Sequence, residues 1–404
     1  MSTTTAQLPT RAAATPRTSS GGLVERVRSR LVATGGATSP AAVAEAVRAE
    51  SGGVASDTDV LAALRVLQQE FVGAGPLDEL LRDPRTTDVL VSGPEAVWVD
   101  RGRGLERAPV RFADDAAVRR LAQRLALAAG RRLDDASPYV DGWLGEIGVR
   151  LHAVLPPIAA DGTCLSLRVL RQSMHDISTL RASGTLDATG EALLRAVLSA
   201  RLAFLVSGGT GTGKTTILGA LLSAAEPRER IVVVEDAEEL RPRHPHVVRL
   251  VARPANIEGA GGVAMHELVR QALRMRPDRL VVGEVRGGEV CDLLAALNTG
   301  HDGGAGTVHA NSAREVPARM EALAALGGLS RAALHSQLIA AIKVVLHMRR
   351  TAAGTRVLDV VGVLSQEPGD SAVVQPVWSR TTGWSSHRAA LGEVFEERGV
   401  RSPW

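Results

Sequence analysis

Lysine is almost missing from this chain of 404 residues: Lys214 and Lys343 are the only two, so the other 45 of its 47 basic residues are arginine. Aromatics are nearly as scarce, at 2%, although 45% of the residues are hydrophobic. Any packed core must therefore be built from Ala, Val and Leu. With few aromatics to stack bases and with arginines scattered rather than clustered, the sequence carries no nucleic-acid footprint, and a formal charge of +3 does not supply one. The two cysteines, Cys164 and Cys291, lie far apart without a C-x-x-C, which suits small buried hydrophobes in a reducing cytosol. No stretch approaches the run of about 18 apolar residues a membrane span needs, and the N-terminus lacks a signal-peptide core. A cytoplasmic protein without transmembrane segments is expected, its membrane contact made through a partner.

Against that background the position of one lysine is informative. Residues 208–216 read Gly-Gly-Thr-Gly-Thr-Gly-Lys-Thr-Thr, between an apolar run (202–206) and a helix-like stretch (217–224). Strand, glycine loop and helix form the setting of a G-x-x-x-x-G-K-[ST] phosphate loop. The backbone N–H groups of Gly208, Gly209, Thr210, Gly211, Thr212 and Gly213 would turn around a polyphosphate, with the helix dipole behind them at Thr216. Lys214 would reach the terminal phosphates of ATP, and the Thr215 hydroxyl would hold Mg²⁺. A compact ammonium suits a phosphate as a point charge, which explains a lysine in a chain that otherwise uses arginine.

Residues 1–58 read as a disordered tail with short helical patterns near 23–31 and 40–50, followed by a stronger helix over 59–72. Residues 59–171 read as a small α+β domain: a hairpin from Thr87 to Val99, a helix from Asp114 to Ala129, and strands at 148–155 and 164–170. Residues 172–190 suggest a linker. From 191 to 365 helices alternate with short Val- and Leu-rich strands, the pattern of a doubly wound, mainly parallel α/β sheet. Past 366 the polar composition suggests a loosely ordered tail.

Three further blocks carry chemistry. Ile231-Val232-Val233-Val234 ends in Glu235-Asp236, and ligands of open parallel sheets bind beyond the carboxyl ends of strands. Glu235 is the candidate to polarise an attacking water, with Asp236 or Glu238 in support; solvation of the strand end is the better reading of Glu238 and Glu239. Leu280-Val281-Val282-Gly283 ends in Glu284, a second carboxylate placed to hold Mg²⁺ partly through water. The run from Asn298 to Asn311 is rich in glycine and brings His309 to a strand end, where it would sense the γ-phosphate. Zinc at His301, Asp302 and His309 fails on ligand count. Arg150, Arg168, Arg270, Arg274 and Arg276 are candidates to stabilise charge on the transferring phosphoryl group.

These blocks, in this order, resemble the type II/type IV secretion traffic ATPases, in particular the CpaF-like branch that powers tight-adherence pilus assembly. The strings are Gly-Gly-Thr-Gly-Thr-Gly-Lys-Thr-Thr, Val-Glu-Asp-Ala-Glu-Glu-Leu, Leu-Arg-Met-Arg-Pro-Asp-Arg-Leu-Val-Val-Gly-Glu-Val-Arg-Gly, and Asn-Thr-Gly-His-Asp-Gly leading to Thr-Val-His-Ala-Asn-Ser. The resemblance implies a RecA-like motor domain behind a smaller N-terminal domain, assembled as a hexamer on the cytoplasmic face of an inner-membrane platform. It implies ATP hydrolysis with Lys214, Thr215, Glu235, Glu284 and His309 in the family's roles, and Arg150 and Arg168 reaching the phosphates. Residues 141–150 depart from the family's usual Arg-Leu-x-x-Gly pattern. A DNA-transfer motor of the same superfamily is the alternative, and a small-molecule kinase a more distant one.

Overall fold

The computed structural model describes residues 27, 30, 40–51, 73–145, 147–170, 175–253, 255, 260–300, 302–368 and 371–404. The expected tail over 1–21, the helix over 59–72, most of the helix over 23–31, and His301 lie outside them. The chain divides into two units, Met1–Val169 and Leu170–Trp404.

In the first unit, helices α1 (Pro40–Ser51), α2 (Asp78–Arg82) and α3 (Asp115–Ala128) accompany six strands: β1 (Asp88–Ser92), β2 (Val97–Asp100), β3 (Leu105–Arg107), β4 (Tyr139–Leu144), β5 (Val149–Val154) and β6 (Cys164–Val169). The strands form one antiparallel sheet in the order β3-β2-β1-β6-β5-β4. Asp114 caps α3 by accepting the Ala117 N–H at 2.7 Å. Val118, Leu121, Ala122 and Leu125, spaced to share one helix face, join the core with Val149, Leu151, Leu165 and Leu167 of the sheet. The two-residue period of β5 and β6 turns Arg150 and Arg168 to the other face, where register pairs them with each other.

The second unit begins with α4 (Ile177–Ala182) and α5 (Ala188–Ser199). Strands and helices then alternate: β7 (Phe204–Ser207), α6 (Lys214–Ser223), β8 (Ile231–Glu235), β9 (Val247–Val251), α7 (Met265–Leu273), β10 (Arg279–Val285), α8 (Glu289–Leu297), β11 (Ala305–Val308), α9 (Val316–Leu326), α10 (Arg331–Ala341) and β12 (Val344–Arg350). Last come β13 (Arg356–Glu367), β14 (Ser371–Ser379), β15 (Gly383–Trp384) and α11 (Arg388–Glu397). The nine-stranded sheet runs β15-β14-β13-β12-β7-β11-β10-β8-β9. From β12 to β9 neighbouring strands are parallel, while β13, β14 and β15 add an antiparallel meander. Both faces are covered. Phe204, Val206, Ile231 and Val233 pack with Leu193, Ile217 and Leu221, while Leu205, Val232 and Val234 pack with Val269, Leu293 and Leu323. Strands buried on both sides read as continuous apolar runs, as β7 and β8 do.

Two expectations are corrected. Within the expected linker over 172–190, residues 175–190 are not extended: Asp176 caps α4 through the Thr179 N–H, and Ile177, Leu180 and Leu186 are buried in the second unit. Of the expected tail over 366–404, residues 371–404 are not loose, because Ala372, Val374, Val377, Trp378, Leu391 and Phe395 give β14 and α11 an apolar side that is buried. Both cysteines are free and half-buried rather than fully enclosed.

Candidate active site

The carboxyl ends of the parallel strands gather the chemistry. Strand β7 ends at Ser207 and the chain enters the glycine loop, with Gly208, Gly211 and Gly213 at φ of +150°, +70° and +94°. A Cβ on Gly208 would stand 2.5 Å from the Met348 carbonyl oxygen, so only glycine allows the loop this close to β12. Gly213, in the left-handed region, turns the loop into the N-terminus of α6.

Lys214 is the first residue of that helix, and its side chain folds back over the loop. Nζ donates to the carbonyls of Gly208 (3.1 Å) and Gly209 (3.0 Å) and lies 3.3 Å from His309 Nε2. His309 Nε2 in turn lies 2.6 Å from Glu284 Oε1. Three residues drawn from α6, β10 and the end of β11 therefore form one continuous contact. Burial pushes the Lys214 ammonium below its ordinary pKa, against the pull of Glu284. Burial likewise lowers His309, helped by the Lys214 charge, and favours a neutral imidazole. Burial alone would raise Glu284, but the Arg286 guanidinium, with His309 and Lys214, outweighs it and holds the carboxylate below its usual range.

Glu235 is set differently. It is 3% exposed; its Oε1 accepts the N–H groups of Leu240 (2.9 Å) and Glu239 (3.3 Å), and its Oε2 is buried without a hydrogen-bond partner. Desolvation lifts its pKa to about 8, overcoming those two hydrogen bonds. A buried carboxyl oxygen with nothing to bond is the kind of group a reacting water would satisfy.

Other expected residues divide. Thr215 Oγ1 donates to Glu239 Oε2 at 3.3 Å, so Glu239, which the sequence reading left to solvent, joins the loop. Asp236 accepts from Arg286, which also donates to Glu284, tying the ends of β8 and β10 together. Glu238 pairs with Arg241 and Arg249 and takes no part. Arg150 pairs with Asp141 (2.9 Å) and Arg168 with Asp88 (3.0 Å), each inside the first unit. Arg270 is held by Asp292, and Arg274 donates to the Arg270 carbonyl. Sequence reasoning missed His347, a buried residue whose Nδ1 lies 2.9 Å from the Ser207 hydroxyl just before the loop.

No cluster of three or more His, Cys, Asp or Glu among the described residues is arranged to hold a metal ion. The hard oxygen donors Thr215, Glu239 and Glu284 nonetheless suit Mg²⁺, which needs only one or two protein oxygens when it arrives on nucleotide phosphates. Among the described residues no helix is long and apolar enough to cross a membrane.

Comparison with known proteins agrees in direction. The profile of the family described as "Type II/IV secretion system protein" matches residues 70–377. A Mycobacterium tuberculosis protein, provisionally named for conjugal transfer, is 64% identical over 347 residues, covering 85% of this chain and 98% of that protein. A Sinorhizobium fredii protein named as a probable conjugal transfer protein, TrbB, is 30% identical over 287 residues, covering 70% of this chain and 85% of its own length. The VirB11 ATPase of the Brucella suis type IV secretion system, solved with sulphate, is 25% identical with a TM-score of 0.38, covering 71% of this chain and 92% of that one.

Proposed function

We propose that this chain, which belongs to the type II/IV secretion system protein family and is one of its traffic ATPases, drives a conjugal-transfer apparatus by ATP hydrolysis as a homo-oligomeric ring of six copies.

 The observation that carries the catalytic half of this reading is the contact running from Lys214 through His309 to Glu284 at the mouth of the glycine loop. The conjugal half is supported by the names of the relatives that align over most of the chain.

In the proposed reaction, loop N–H groups and Lys214 hold the β- and γ-phosphates of ATP, and developing charge is met by groups already in place. Thr215 and Glu284 would hold Mg²⁺, which when bound neutralises phosphate charge. Water attacks the γ-phosphorus as the bond to the β-phosphate oxygen breaks, ADP leaves, and the proton of the water passes to Glu235. With a pKa of about 8, Glu235 is mostly protonated at pH 7 in the nucleotide-free chain, so the carboxylate able to take this proton becomes more abundant as pH rises toward 8. His309, neutral and touching both Lys214 and Glu284, would register the γ-phosphate. Arg150 and Arg168 are proposed as further phosphate ligands, a role the family resemblance gives them.

The pilus-assembly reading is the second one, favoured by the CpaF-like strings and by the 2% aromatic content, which offers little to grip a nucleic acid. The test compares ATPase turnover of the purified protein with added single- or double-stranded DNA against turnover with detergent-solubilised platform protein. Stimulation by DNA supports the conjugal motor. Stimulation by the platform protein alone overturns it in favour of pilus assembly. In either case Lys214→Ala is expected to abolish hydrolysis.

A further inference from the structure

The groups that would meet the terminal phosphate all lie on one flank of β7. Glu235, Glu284 and His309 come from β8, β10 and the end of β11, which follow β7 in one direction across the sheet. On the opposite flank lie β12 and β13. A nucleotide laid across the loop with its γ-phosphate toward His309 must therefore send its nucleoside end toward that second pair of strands.

One side chain waits there. Arg356 opens β13, and its stem lies against the last glycine of the loop: a Cβ on Gly213 would stand 3.3 Å from Arg356 Cδ and 3.9 Å from Met348 Cε. The residue is exposed, and its guanidinium makes no hydrogen bond or ion pair among the described residues. Its neighbours in the hairpin differ. Arg349 is bound by Asp359 at 2.9 Å, and Arg350 donates to the Gly354 carbonyl. We propose that Arg356 receives the nucleoside of the bound nucleotide, its planar guanidinium lying against the purine base while its stem rests on Gly213. A flat cation held by its stem but unpaired at its head is suited to stacking on a base.

This assignment rests on the ATPase reading and is tested separately from it. Binding of ATP and of inorganic tripolyphosphate is measured by calorimetry for the full chain and for Arg356→Ala and Arg356→Gln. The expected result is a loss of about tenfold in ATP affinity with tripolyphosphate affinity changed less than about twofold, since only the base contact is removed. Arg356→Gln keeps much of the stem on Gly213 and serves where truncation unsettles the loop. Unchanged ATP affinity in both variants overturns the proposal, and so does an equal loss for the two ligands, which would place Arg356 at the phosphates. A wild-type chain that binds neither ligand overturns the nucleotide reading itself.

Discussion

Glu235 fills the space that a side chain on Gly283 would need: a Cβ at Gly283 would stand 2.6 Å from Glu235 Cγ and 3.0 Å from Oε1. The residues lie side by side at the ends of β8 and β10, where Val234 pairs with Val282. Gly283→Ala must therefore displace the carboxyl. Because a shift near 1 Å in a reacting group costs on the order of a hundredfold, kcat for ATP hydrolysis is expected to fall about 10- to 100-fold. ATP affinity should stay within about threefold. A variant that folds and turns over at the wild-type rate would show that the position of Glu235 is irrelevant to the chemistry.

The same carboxyl ties stability to pH. Burial raises Glu235 from 4.5 to about 8, so the folded chain holds a proton that the unfolded chain releases. Its contribution is complete below the unfolded-state value and is lost as pH rises through about 8. Glu235→Gln has no proton to lose. The Tm of the variant minus that of wild type is expected to be small near pH 5 and to grow by several degrees toward pH 9. A difference that stays flat across that range would contradict the raised pKa.

His309 separates sensing from gripping. Lys214 touches the loop carbonyls directly, whereas His309, among the described residues, reaches the loop through Lys214 Nζ. Lys214→Ala is expected to remove measurable ATP binding. His309→Ala should leave affinity within about threefold and lower kcat by about 10- to 100-fold, the usual reach of a positioned proton-transferring or polarising side chain. Loss of binding in the His309 variant would move that residue into the grip.

Much of this was legible in the sequence, for a physical reason. The loop and the strand-end carboxylates are local patterns: a buried strand is a short apolar run, and the polar residue that ends it marks the edge of the sheet. Contacts between distant segments leave no such mark. Ser207 and His347 stand 140 residues apart, and the Arg286 link from Glu284 to Asp236 depends on β8 and β10 being neighbours. The C-terminal strand was hidden for another reason. Its pairing with β13 shifts register between Val361 and Gly362, so Val377 and Trp378 are buried in succession and the two-residue period is broken. Helix α4 is too short, with only Ile177 and Leu180 buried, for a period to show.

At the end of the parallel strands opposite the glycine loop, Arg279, which opens β10, is 1% exposed yet has every guanidinium nitrogen hydrogen-bonded. Its Nε and Nη2 donate to Glu229 at 2.5 and 3.2 Å, and Nη1 and Nη2 reach the carbonyls of Gly303 and Leu198, both at 3.1 Å. Glu229→Ala would leave a buried guanidinium without its counter-charge, which costs about 3–5 kcal/mol. A fall in Tm of roughly 10 °C or more is expected for a unit of this size. Replacing both partners, as in Arg279→Met with Glu229→Leu, removes the charge together with its partner and should cost clearly less than Glu229→Ala alone. If the double variant is as unstable as the sum of the single ones, the pair is not coupled and the stability of this end of the sheet comes from packing around it.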